Sequence, residues 1–116
     1  MKIQTLNDNP VNQDVILNYC GRLVNRFFKI IPMWEHHEAS LPTYLDSLQI
    51  EMLGFRALVD DVEIGSAMLS LLSILQYMLD HPDMEFQVVR REVFRAISTC
   101  NFIQDVYKSR KETAAK

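Results

Sequence analysis

Two cysteines, Cys20 and Cys100, are all that this 116-residue chain has, too few for a disulfide framework of the kind that staples small secreted domains. The opening residues also lack a charged, apolar, small-residue leader, so the expectation is a cytoplasmic protein in a reducing compartment. No apolar run reaches the roughly 20 residues that a bilayer requires. The longest, Ile64 to Leu79, is interrupted by Ser66, Ser70, Ser73 and Gln76 and reads as a buried helix with no membrane partner. There are no internal repeats and no low-complexity linkers. With this length, a single helical domain spanning 1–116 is expected, with a core of its own and no second lobe.

Catalytic chemistry is missing as well. Neither cysteine has a histidine nearby in sequence, Arg22 is the one basic residue close to Cys20, and both thiols fall on apolar seams, where a thiol is inert. Only three histidines occur, His36, His37 and His81. The run Glu35-His36-His37-Glu38 has ligand chemistry suited to zinc or iron. A bundle metal site, however, draws Glu-x-x-His pairs from facing helices, and the chain has none. Two acidic i,i+3 pairs, Glu35 with Glu38 and Asp60 with Glu63, have the spacing of a magnesium site. The helix between them sets them on the order of 28 Å apart at 1.5 Å per residue. The reading is therefore no catalytic residue, no cofactor and no metal, and a protein that is not an enzyme. One geometric expectation survives: all three histidines share one pole of the molecule.

Positive charge is nearly absent from the middle of the chain. Residues 35–87 hold ten acidic side chains against Arg56 alone, whereas the net charge is +2 over 1–34 and +4 over 88–116. If the first and last helices are neighbours, Arg22, Arg26 and Lys29 on one and Arg90, Arg91 and Arg95 on the other merge into a basic side opposite an acidic one. Such an asymmetry favours association with an oppositely charged surface. A nucleic-acid-associated regulator using Arg22, Arg26, Lys29, Arg91 and Arg95 is the alternative function this pattern allows. Pairing of these charges within one molecule is the alternative to both.

What the chain does have is helical periodicity. Apolar residues recur at spacings of three and four in four segments: Ile16, Cys20, Leu23, Phe27, Ile30; Leu41, Leu45, Leu48, Met52, Phe55, Val59; Ile64, Met68, Leu71, Leu75, Met78; and Phe86, Val89, Val93, Ala96, Cys100, Ile103, Tyr107. This spacing keeps one seam of a helix against its neighbours. It predicts an all-α, four-helix up-down-up-down bundle with helices over about 10–31, 41–59, 62–80 and 84–109 and a short N-terminal arm over 1–8. The breaks carry helix punctuation: Asn9-Pro10 at the first start, Pro32 stopping the first helix, Ser40 capping the second, Asp60-Asp61 capping the third and His81-Pro82-Asp83 turning into the fourth.

Helices two and three carry more apolar surface than one seam uses. Ile50, Leu53 and Ala57 fall on the side of helix two away from Leu45, Leu48 and Met52, and helix three is apolar nearly all round, including Leu69 and Leu72. A helix of that kind must be covered on most sides. The expectation is a protein–protein interaction module, an adaptor, regulator or chaperone-like subunit, that forms a homodimer through Ile50, Leu53, Ala57, Leu69 and Leu72. The competing expectation is that residues 32–39 or the first eight fold back over this face.

Overall fold

The computed structural model describes residues 10–59 and 61–115, so the N-terminal arm, the Asn9 cap and Asp60 lie outside the described residues. The remainder is all α, with four helices: α1 (Pro10–Glu35), α2 (Leu41–Arg56), α3 (Val62–Asp80) and α4 (Phe86–Ala115). The apolar seams point inward as the periodicity dictates. Ile16, Leu23, Phe27 and Ile30 of α1, Leu48 and Met52 of α2, Ile64, Leu71 and Leu75 of α3, and Val89, Val93, Cys100, Ile103 and Tyr107 of α4 are fully buried in one core.

Cross-helix contacts fix the direction of each neighbour. Gln104 donates to the Leu17 carbonyl and Phe28 meets Phe94, so α1 and α4 run antiparallel. Gln49 with Gln76, and Arg56 with the Gly65 carbonyl, do the same for α2 and α3. The bundle is held chiefly by α1 on α4, then by α2 on α3 and α3 on α4, while the backbones of α1 and α2 approach least. Long side chains span that last gap. Tyr19 stacks on Phe55 with centroids 4.0 Å apart, the Tyr44 hydroxyl donates to the Arg26 carbonyl at 2.8 Å, and Arg26 pairs with Glu51.

Four helix boundaries differ from the sequence expectation. Pro32 does not stop α1, which continues to Glu35. Proline forfeits one backbone bond there, yet its own carbonyl still accepts from His36 at 3.0 Å, and the extra turn seats Trp34 in the core with its Nε1 donating to the Met84 carbonyl. The true stop is a Schellman turn, with Glu38 N–H bonded to the Met33 carbonyl and His37 N–H to that of Trp34. His37 occupies its left-handed position at φ 51°, where glycine is usual. Consequently the first connection is 36–40, shorter than the 32–39 expected.

α2 ends at Arg56, three residues early, because Leu58 and Val59 make tighter i→i−3 bonds that turn the chain toward α3. Ser40 stands at the start of α2 but in a helical conformation, with no side-chain cap bond, so it is not the expected cap. Pro42, in the first turn, is tolerated because the N–H it lacks has no intrahelical partner at that position. Asp61, by contrast, is extended and its carboxylate accepts from the Ile64 N–H at 2.9 Å.

α3 closes at Asp80 because Pro82 forces His81 out of helical geometry, to φ −129° and ψ 68°. α4 starts at Phe86 instead of 84, since Met84 is committed to a turn bond with the His81 carbonyl. It then runs past the expected end at 109 to Ala115. Beyond Tyr107 the apolar period is gone, but the strong helix formers in Lys108–Ala115 continue the backbone without it.

Candidate interaction surfaces

The α2–α3 face is built from the side chains that both helices turn away from the core. Ile50 is 61% exposed, Leu53 52%, Leu69 50% and Val62 90%, and Ala57 is exposed beside them. The Gln49–Gln76 and Arg56–Gly65 contacts bracket Ile50, Leu53 and Leu69, so antiparallel register sets Leu53 level with Leu69. Gly54 lies one residue on, where an added Cβ would meet nothing within 4 Å. Leu72 does not belong to the face. It is 5% exposed, because it lies on the inward row of Met68 and Leu75. Of the two competing covers, residues 36–40 stay at the pole between α1 and α2, and the first eight residues lie outside the described residues.

The basic residues do not merge. Arg22, Arg26 and Lys29 share one row of α1, and Arg26 turns to Glu51 of α2. Phe28, about 200° round the helix from Arg26, points the other way, to Phe94 of α4. On α4, Arg95 grips the nearly buried Glu92 carboxylate through both oxygens, at 2.7 and 2.8 Å, on the side facing α3. Arg91 is exposed outside it. Only Arg90 sits at the α1–α4 seam, its guanidinium 5.7 Å from the Phe94 ring centroid. The two cationic rows therefore flank the α1–α4 pair on opposite sides, separated by the Phe28–Phe94 contact.

The histidines do share a pole, formed by the end of α1, the start of α2 and the α3–α4 turn. His37 and Glu38 rim a cavity there whose walls are Trp34, Leu41, Leu45, Met78 and Leu79, with Pro42 and Pro82 at its edges and a volume of about 200 Å³. His81 stacks on Tyr77, centroids 4.4 Å apart, and its Nδ1 meets the Tyr77 carbonyl. His36 lies 3.9 Å from Glu35. His81 and His36 thus have separate partners, and among the described residues no three histidine, cysteine, aspartate or glutamate side chains converge as a metal site would require.

The sequence did not disclose this cavity. Its one legible sign was Trp34, set between a proline and a charged run; the indole belongs to the core only because α1 passes through Pro32. A shallower groove between α3 and α4, about 450 Å³ and lined by Ser66, Ala67, Ser70, Ser98, Thr99 and Phe102, was equally unforeseen. It exists because small side chains face each other there.

Burial pushes both thiols up to about 12, as expected for seam cysteines. Burial, and after it the Glu51 carboxylate, also holds the Tyr19 hydroxyl well above the usual phenol range. None of these groups is activated for chemistry. α3 is long and apolar enough to cross a membrane by composition, yet here it packs between α2 and α4 with nine residues buried. No protein family, curated protein or solved structure matches this chain.

Proposed function

We propose that this chain is a non-enzymatic protein–protein interaction module that self-associates through the outer face of α2 and α3. The observation that carries this reading is the half-exposed pair Leu53 and Leu69, with Ile50, Ala57 and Val62 also exposed on the same two helices. Exposed apolar side chains gathered on one face are costly to leave in water and mark contact with another surface. Gly54 suits a close approach of a second helix, since its open side offers no side chain to hold one off. A two-fold dimer brings the same patch together from both copies, so each exposed leucine gains a partner without any further sequence requirement.

Light scattering at micromolar concentration tests the proposal. The expected mass is about twice 13.5 kDa, because a specific interface buries at least ~1,000 Å². Leu53→Glu should return the protein to a folded monomer. A wild-type monomer at that concentration overturns the reading.

A further inference from the structure

The cavity at the histidine pole has three properties that belong together. Its walls are apolar and include Trp34, whose indole is fixed by the bond to the Met84 carbonyl. The surface around it is acidic: Glu35, Glu38, Asp80, Asp83 and Glu85 are all exposed. Between Lys29 and Arg90 the chain has one basic residue, Arg56, which lies at the far end of α2 bonded to Gly65. Its rim residue His37 is held in the left-handed region, a backbone cost that persists where the surroundings impose it and that clusters at ligand clamps.

We infer that this cavity is a docking pocket for a basic segment of another protein, which inserts one leucine- or phenylalanine-sized side chain against Trp34, Leu45 and Met78 and sets flanking lysines or arginines on the carboxylates. A volume of about 200 Å³ is below the ~300–1,000 Å³ of ordinary small-molecule sites and suits a single side chain. The charge decides the class of partner. Among the described residues, an acidic segment meets five carboxylates and no fixed cation at this pole, whereas a basic one is steered in and held in register. The pocket lies at the pole remote from Val62 and the end of α2, and the inference goes beyond self-association and does not depend on it.

Trp34 is the only tryptophan, so its emission reports the pocket directly. The probe is an amidated pentapeptide with one phenylalanine between pairs of lysines, titrated into the full-length protein. Two control peptides replace the phenylalanine by alanine or the lysines by glutamates. The lysine–phenylalanine peptide should change the emission saturably, with both controls at least about tenfold weaker and the affinity falling as salt screens the carboxylates. Leu79→Phe, which fills the cavity from a partly exposed position, should abolish the response while circular dichroism shows an unchanged fold. Glu38→Lys should weaken it. The Leu53→Glu protein should bind as wild type does, which separates failure here from failure of the dimer. No response up to millimolar peptide, equal responses to all three peptides, or undiminished binding by folded Leu79→Phe each overturns the inference.

Discussion

Cys20 of α1 and Cys100 of α4 lie in one layer of the core, both buried, and a thiolate at Cys20 would add to the burial that already holds Cys100 protonated. The flanking contacts confirm the register, since Leu17–Gln104 lies on one side of the layer and Phe28–Phe94 on the other. This is where the antiparallel register of α1 and α4, set by those two contacts, places the two residues.

Both thiols should resist modification in the native state and react at the rate of free cysteine once the protein is unfolded. Their raised native pKa also sets a pH dependence. A group held protonated by folding contributes fully below its unfolded value near 9 and loses that contribution as pH climbs toward about 12. Denaturant melts between pH 8 and 11 should therefore show stability falling with pH, and the slope should lessen in Cys20→Ala. A flat profile would mean the thiols are solvated.

His37→Gly should raise stability by about 0.5–1 kcal/mol in urea melts, because glycine accepts the left-handed conformation that costs any other residue ~1–2 kcal/mol. A loss instead would show that the imidazole makes contacts exceeding its backbone cost.

Asp61→Ala should destabilise the protein by about 1 kcal/mol through loss of the Ile64 cap. Ser40→Ala should leave stability within about 0.5 kcal/mol, since the hydroxyl makes no cap bond. Equal effects at the two positions would contradict the cap assignment.

Leu72→Ala should cost about 2–5 kcal/mol, the range for truncating a buried leucine. Leu69→Ala should cost little in the monomer and act instead on the mass measured by light scattering. The paired measurement separates core from surface on α3, and a large monomer penalty at Leu69 would place it inside.

Duplex DNA or RNA binding should be absent at physiological salt. With the cationic rows of Arg22, Arg26 and Lys29 and of Arg91 and Arg95 on opposite sides, one duplex cannot engage both, and a salt slope of roughly −3 to −4 needs that many phosphates neutralised together. A steep salt dependence abolished by charge reversal in both rows would favour nucleic-acid binding.

The sequence by itself determined the four helices, their inward seams, the Asp61 cap and the placing of the histidines at one pole. Each follows from local chemistry or from a period repeated over several turns, and short connections allow few arrangements of four amphipathic helices. Only the tertiary structure decided what depends on the angle between neighbours. Leu72 and Leu69 are alike in sequence, yet a rotation of about 60° around α3 puts one in the core and the other half in solvent. The cationic rows failed to merge because adjacency of α1 and α4 says nothing about which flank each row occupies. The Trp34 cavity required α1 to run through Pro32, a step that local propensity opposes and that burial of the indole, with its bond to Met84, outweighs.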